Sequence, residues 1–392
     1  MVVAVTGPHT VVGAITQSGV GTRPHALPAL TGLRFIAALL VVLHHFTTIW
    51  RAGVAPLAVT HSSSMYANAL LARTMRDGWI GVNLFFILSG FILTYTYLDG
   101  IGSWHGSYRA FYVARLARIY PLYLLALLVG LIPLLWHAYT ISAPLLTIPA
   151  TLTFTELWLP QPDVSWCGSG WSLAPEVFFY ALFPLLALLV GRLSQRHLLL
   201  LLLSTWIATL VAASGYHGVG NSWIYEIRPL VRLPEFILGV AVGRLFVLRH
   251  TITVTLPRSD WLIALAGIGC ISVLAGGTTI WPDLWLHVGL CDPVFALLIY
   301  ALARGRGTLT RALSSRVMVT LGEASYALYL LHGPLWVLTT RLMGQPSTDA
   351  HATAATAIPL FVAFLVCATI IAMLAYVYIE QPTRRYIRQA LR

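Results

Sequence analysis

Arg34 and His45 lie in one stretch, LRFIAALLVVLHHF (33–46), that is otherwise suited to lipid. They are 11 residues apart, almost three full turns, so a helix would carry both on one face about 16 Å apart. His44 would point about 100° away from that face. A neutral histidine can serve as a general base, so the spacing favours His45 over His44 for catalysis. Taken singly, each residue has a structural alternative. Arg34 would be an anchor at the membrane border, and His45 would be a histidine hydrogen-bonded between helices.

Two further arginines, Arg115 and Arg118, are three residues apart in FYVARLARIYPLYLL (111–125). On a helix they share a face, and their planar donor groups match phosphate oxygens. Arg34 is expected at the same cytoplasmic level. The sequence therefore predicts that the three arginines converge on a phosphorylated group, and anchoring of the chain at the membrane border is the alternative.

The segment GSGWSLAPEVFFYALFP (168–184) places Ser172 and Glu176 four residues apart at the start of an apolar run. A carboxylate inside a membrane helix is costly and has no long stem with which to reach water. This favours a functional role for Glu176 over a structural one. Asn83, in GVNLFFILSGFIL (81–93), is expected at the depth of His45 and could orient it, whereas Ser89 and Gly90 in the same segment favour close helix packing.

Polar residues also occur in two later apolar runs. Arg232 and Glu235 share a helix face in YEIRPLVRLPEFILG (225–239), where an ion pair between them is the structural alternative to a site role. Tyr329 and His332 share a face in LGEASYALYLLHGPLW (321–336). We expect His332 near the level of His45, either in a site or packed against a backbone carbonyl.

Membrane-spanning helices would have to position these residues. The chain has 392 residues, of which 58% are hydrophobic and 9% charged, which is typical of a polytopic membrane protein. A span needs about 20 apolar residues, and ten such runs occur: 31–50, 78–98, 119–137, 172–191, 197–213, 229–248, 261–277, 285–303, 319–341 and 355–379. The segment 144–159 is shorter and carries Glu156, so we expect it to be interfacial or re-entrant.

The distribution of arginine predicts the orientation. All basic residues other than histidine are arginine, the formal net charge is +11, and most arginines fall in loops that become cytoplasmic if both termini are inside. The sequence thus predicts an all-α bundle of about ten spans, with a cytoplasmic tail at 1–28, a membrane domain at 29–385 and a cytoplasmic tail at 386–392. It contains no basic and aromatic patch for nucleic acid, and its four cysteines lack metal-site spacing, so we expect neither a nucleic-acid partner nor a metal.

Sorted by depth, the arginines lie at the cytoplasmic mouth, and the remaining polar residues lie toward the outer half of the membrane. A donor with a phosphorylated head and a long thin arm would fit this arrangement. Acyl-CoA has that shape. Its thioester would lie roughly 15 to 20 Å from the arginines, where a histidine base could activate an acceptor hydroxyl.

In order along the chain, the stretches LRFIAALLVVLHHF, GVNLFFILSGFIL, RLARIYPLY, WSLAPEVFFYALFPL, RLPEFILG and SYALYLLHGPL resemble the acyltransferase-3 family of integral membrane O-acyltransferases. The resemblance covers about residues 30–385. It implies that Arg34 and His45 form the family's Arg-x10-His signature, with a catalytic histidine. It also implies that Arg115 and Arg118 are the arginine pair at the acyl-CoA head.

Further positions follow from the same resemblance. The family's Trp-Ser-Leu and Glu motif is matched by Trp171, Ser172 and Glu176. Asn83 stands where the family often has Asp, and an asparagine can form hydrogen bonds but cannot act as an acid. The chain is most similar to compact members, among them macrolide O-acyltransferases of actinobacteria.

These observations predict an enzyme that transfers an acyl group from acyl-CoA, as a co-substrate and with no permanently bound cofactor, to a hydroxyl of a sugar or macrolide. His45, Glu176 and Asn83 would be catalytic, and Arg34, Arg115 and Arg118 would bind the donor. Five residues would bind substrate: Trp171, Ser172, Arg232, Tyr329 and His332. We expect a multi-pass protein of the bacterial inner membrane. A cell-envelope glycan acceptor and a proton-coupled transporter are the alternatives, although no inverted repeat supports transport.

Overall fold

Apolar runs rich in leucine, alanine and valine form most of the structure, and nearly all of them are helical. The computed structural model describes residues 26–50, 77–137, 140–166, 168–216, 222–250, 260–343 and 354–390. Within these ranges, β pairing is limited to one isolated bridge between Leu98 and Trp104. The prediction of an all-α bundle is confirmed.

We number the α-helices in chain order. They are α1 Pro28–Trp50, α2 Gly81–Tyr97, α3 Tyr108–Leu135, α4 Pro144–Leu152, α5 Leu173–Gly191, α6 Gln195–Gly215, α7 Ser222–Glu226, α8 Pro229–His250, α9 Asp260–Ile280, α10 Asp283–His287, α11 Asp292–Arg304, α12 Thr308–Leu313, α13 Arg316–Met343, α14 Ala354–Ala375 and α15 Gln381–Ala390. Short 3-10 turns occupy Gly78–Ile80, Glu156–Trp158 and Gly168–Ser172, and a π-helical turn, Tyr376–Glu380, joins α14 to α15.

Seven helical segments in the described part of the chain are long and apolar enough to cross a membrane. Three more long helices, α8, α9 and α13, coincide with predicted spans. The number of ten spans and the cytoplasmic position of both termini stay predictions. Residues 1–25 of the predicted first tail lie outside the described residues, and the predicted second tail begins within α15.

Two sequence boundaries differ from the structure in informative ways. Helix α3 begins at Tyr108, well before the predicted start at 119, because its first turns carry tyrosine and arginine that suit a helix at the membrane border but lower its mean hydropathy. In the segment 144–159, α4 has nine residues and is about 14 Å long. It is too short to cross a hydrocarbon core of about 30 Å.

The predicted span 285–303 is broken. Gly289 adopts a φ of +127°, a conformation that glycine tolerates and other residues rarely adopt, and it separates α10 from α11. The break frees backbone carbonyls inside the protein. Polar side chains satisfy two of them: partly buried Trp206 donates to the Gly289 carbonyl at 3.0 Å, and buried Arg232 donates to the His287 carbonyl at 2.7 Å.

Close helix contacts set the geometry of the site. Helices α2 and α8 touch through Gly90, where any side chain would collide with the Phe236 carbonyl oxygen. Helices α1 and α13 touch through Gly322, where a side chain would collide with the Thr31 carbonyl oxygen. These contacts bring the α1 helix that carries Arg34 and His45 against the α13 helix that carries Tyr329 and His332.

Candidate active site

Arg34, Arg115 and Arg118 line one internal cavity between α1, α2, α3, α5 and α13. The structure brings together the three arginines that the sequence grouped, and phosphate binding by them stays a prediction. The cavity has a volume of about 140 Å³, enough for roughly five water molecules at about 30 Å³ each. It is a partly open cleft within the helix bundle, with apolar walls and a group of charged side chains that can hold an anionic group.

Glu176 lines the same cavity. The Tyr180 hydroxyl donates a hydrogen bond to the Glu176 carboxylate, and the Arg115 guanidinium lies 5.7 Å from the centre of the Tyr180 ring. Arg34 is close enough to Glu176 for their charges to interact. The sequence grouped Glu176 by depth with His45, and this grouping is wrong because the carboxylate lies among the arginines.

The reason is the segment that precedes α5. The 3-10 turn Gly168–Ser172 is buried in the protein, and the Ser169 hydroxyl donates to the Tyr329 carbonyl at 2.9 Å. Helix α5 therefore begins inside the bundle. The sequence-based estimate of depth assumed that each helix starts at the membrane border. It therefore placed Glu176 too close to the outer surface of the membrane.

Glu380 and Arg384 extend the arginine cluster. Glu380 forms an ion pair with Arg118, and its carboxylate lies 3.6 Å from the Arg384 guanidinium. The Glu380 side chain has no exposed surface. Arg118 also lies 5.0 Å from the centre of the Tyr326 ring, which is a cation–π distance.

At its other end the cavity reaches Tyr329 and Ser172. The Tyr329 hydroxyl donates to the Ser172 hydroxyl oxygen at 2.8 Å. The His332 ring centre lies 6.2 Å from that of Tyr329, and the His45 ring centre lies 5.0 Å from that of His332. A pair of histidines thus lies directly beyond the Tyr329 end, although neither histidine lines the cavity itself.

Backbone contacts fix the protonated nitrogen of both rings. His45 Nδ1 lies 2.9 Å from the Val41 carbonyl oxygen, and His332 Nδ1 lies 3.2 Å from the Leu328 carbonyl oxygen. A carbonyl only accepts, so each Nδ1 must carry the proton. In the neutral ring, Nε2 then bears the lone pair that a general base requires. Among the described residues, the buried His332 Nε2 has no hydrogen-bond partner.

His44 faces a different neighbour. Its Cβ lies close to Gly78 in the turn that precedes α2, while its ring makes an edge contact with His45, centre to centre 5.2 Å. The helical-face argument for separating the two histidines is consistent with this arrangement.

Asn83 and Arg232 belong to a second buried polar cluster. Arg232 pairs with Glu235 at 2.8 Å, which confirms the ion pair that the sequence offered as the structural alternative. Arg232 also donates to the side-chain oxygen Oδ1 of Asn83 at 3.2 Å, and the side-chain nitrogen Nδ2 of Asn83 donates to the His287 backbone carbonyl at 3.2 Å. The Asn83 amide is therefore directed at the break between α10 and α11 rather than at His45.

Trp171 connects this second cluster with the cavity. The Arg232 guanidinium lies 5.9 Å from the centre of the Trp171 ring, and Trp171 directly precedes the cavity residue Ser172. Arg232 thus supports the segment that carries Ser172. In the described part of the chain, no three His, Cys, Asp or Glu side chains gather as a metal site would require.

Several cavity residues were missed or misassigned by sequence reasoning. Ser89, which was expected to serve helix packing, lines the cavity, as do Tyr180 and Tyr326. The sequence predicted no site role for Glu380 or Arg384, which lie beside the cavity and not in its lining. A tyrosine in an apolar run gives no local signal of a site, since it is common at membrane borders. The charged stretch YIEQPTRR (378–385) did carry a signal, because Glu380 follows a long apolar run.

A comparison with known protein families identifies the family of the chain. Residues 27–377 match a family model described as an acyltransferase domain, Acyl_transf_3. The chain belongs to this acyltransferase family. The resemblance drawn from the sequence motifs is confirmed, and the protein is a membrane-embedded acyltransferase.

Individual relatives of this acyltransferase differ in how much of their length is shared. It is 29% identical to the acyltransferase MdmB of Streptomyces mycarofaciens, over 92% of each chain. It is 23% identical to the O-acetyltransferase OatA of Staphylococcus aureus, where the match covers 92% of this chain and 58% of the relative. A regulator of hypoxia-inducible factor 1 from Caenorhabditis elegans is 24% identical over 64% of this chain and 58% of its own length. No solved structure matches the chain.

Proposed function

We propose that this membrane acyltransferase transfers an acyl group from acyl-CoA to a hydroxyl of a sugar or macrolide, with His45 as the general base. One observation carries the proposal. A single cavity has three arginines at one end, and at the other end it reaches Tyr329, beside the His332 and His45 pair.

The two ends of the cavity match the two ends of the donor molecule. The arginines offer bidentate donors to phosphate oxygens. Helix α1 is continuous from Arg34 to His45, so their backbones are about 16 Å apart along its axis. A donor whose phosphates bind at Arg34, Arg115 and Arg118 can extend its arm along α1 toward the histidines.

The chemistry at the histidine end is direct transfer. His45 Nε2 takes the proton of the acceptor hydroxyl as the oxygen attacks the thioester carbonyl carbon. The carbon–sulfur bond then breaks, the ester forms, and the thiolate leaves as CoA thiol after taking the proton from the imidazolium. A general base of this kind contributes typically 10²- to 10⁴-fold in rate.

Ser172 is the proposed donor to the oxyanion. Because its oxygen accepts the hydrogen bond from Tyr329, its own proton is free for a substrate oxygen. A donor aimed at the developing charge of an acyl-transfer intermediate contributes further to the rate. Glu176, through its contacts with Tyr180 and Arg34, positions the donor end.

An acetyl or other short acyl group is the proposed cargo, and the O-acetyltransferase named among the relatives supports this choice. The macrolide or sugar acceptor rests on the resemblance to compact family members. A multi-pass location in a bacterial cell membrane is part of the proposal, and the family match together with the bacterial relatives supports it.

The test uses membranes that contain the protein, labelled acetyl-CoA, and a macrolide or a cell-envelope glycan as acceptor. We expect label transfer to the macrolide, a loss of at least about 100-fold in His45→Ala, and near-normal transfer in the matched control His44→Ala. Transfer that survives His45→Ala would overturn the assignment of the base. Transfer to the glycan alone would overturn the assignment of a macrolide as the acceptor.

A further inference from the structure

Glu380 is a buried carboxylate at the edge of the proposed donor site. It is in contact with Arg118, which lines the cavity, and lies 3.6 Å from Arg384, which does not. Its side chain has no exposed surface, whereas those of Arg118 and Arg384 are 15% and 32% exposed. The carboxylate is thus the most buried member of the three.

Arg384 belongs to the same field of charge as the cavity arginines. It lies close enough to Arg34, Arg115 and Arg118 for their charges to repel one another. The four arginines have nearby carboxylates at Glu176, Glu380 and, beside Arg384, Glu323. Like charges in an apolar setting require a counter-ion, and Glu380 supplies it for Arg118 and Arg384.

The backbone beside Glu380 is unusual. The residues Tyr376–Glu380 form a π-helical turn between α14 and α15. Such turns are rare and occur frequently at functional sites. Glu380, which is buried, ends this turn, and Arg384 follows one helical turn later on the same side.

We propose that Arg384 is a fourth donor-binding arginine and that Glu380 is an internal anion which a phosphate of the donor replaces. This inference rests on the proposed acyl-CoA function. Before the donor binds, the carboxylate holds Arg118 and Arg384 in place. When the donor binds, a phosphate takes over both guanidinium groups, and its affinity is lowered by the cost of breaking the existing ion pairs.

The test measures CoA binding by isothermal titration calorimetry with the full-length protein in detergent, together with thermal unfolding. In Glu380→Gln the competing charge is gone, so we expect CoA to bind about tenfold more tightly, the equivalent of one charged hydrogen bond, while Tm without CoA falls. In Arg384→Gln we expect CoA to bind about tenfold more weakly. An ordinary structural role for Glu380 would instead weaken CoA binding and lower Tm together.

Two further variants keep the test decisive. Glu380→Asp retains the charge on a shorter side chain, so it should fold and bind CoA a few-fold more tightly. Glu323→Gln is the matched control, because Glu323 interacts with Arg384 through its charge but lies outside the Arg118 ion pair. Its CoA affinity should stay within about twofold of the wild type.

The outcomes separate the two proposals. If the wild type does not bind CoA, the proposed function fails. If the wild type binds CoA but neither Glu380 variant binds it more tightly, only the role of Glu380 as a replaceable anion is overturned. If Arg384→Gln binds CoA as the wild type does, Arg384 is not a donor ligand.

Discussion

Glutamine substitutions at Arg115 and Arg118 should separate donor binding from folding stability. Both side chains line the cavity, but their partners differ. Arg118 is in an ion pair with buried Glu380, whereas Arg115 lies over the Tyr180 ring and, among the described residues, has no carboxylate in an ion pair. Arg115→Gln therefore removes a cation whose loss leaves no buried charge behind.

The magnitudes follow from these contacts. A hydrogen bond to a charged group contributes about 1.5–3 kcal/mol, so each variant should weaken CoA binding by roughly 10- to 150-fold. Breaking a buried ion pair from one side costs about 3–5 kcal/mol. Arg118→Gln should lie at or below the lower end of that range, because Arg384 still faces Glu380 at 3.6 Å.

The assay compares CoA affinity by calorimetry with Tm in the absence of CoA, using the same detergent for all three proteins. We expect Arg115→Gln to lose affinity at an unchanged Tm, and Arg118→Gln to lose affinity while its Tm falls by several degrees. If Arg115→Gln binds CoA within twofold of the wild type, the proposed binding of the donor phosphates by the arginines is refuted. Equal losses of Tm in both variants would refute the distinction between their partners.

Two further predictions concern stability. Burial raises the pKa of the loop carboxyl Glu156 to about 8, so the folded protein holds this proton more tightly than the unfolded chain, and the stability it contributes is complete below about pH 4.5 and declines as the pH rises toward 8. Glu156→Gln should match the wild type in Tm near pH 5 and exceed it at pH 9, whereas a difference independent of pH would contradict this account. Gly90→Ala should lower Tm or prevent folding by forcing α2 and α8 apart, at a cost of about 1–3 kcal/mol or more. Gly267→Ala is the control, since a side chain there meets open space, and a similar loss in both variants would show that the helix contact is not the cause.

The sequence by itself determined the fold class and the main helices. Long apolar runs can satisfy their backbone groups in lipid only as helices, so composition and run length were sufficient. Helical periodicity also placed Arg115 and Arg118 on one face of α3, and the motif order identified the family. These properties depend on residues that are close together along the chain, so a single sequence is enough to predict them.

Only the tertiary structure decided which polar residues meet. The buried turn before α5 places Glu176 with the arginines, and the break at Gly289 directs Asn83 and Arg232 toward freed carbonyls. Neither depends on spacing within one helix. The contact between Glu380 and Arg118 joins α3 to the π-helical turn between α14 and α15. Such distant pairing follows from how helices pack, which hydropathy and periodicity do not encode.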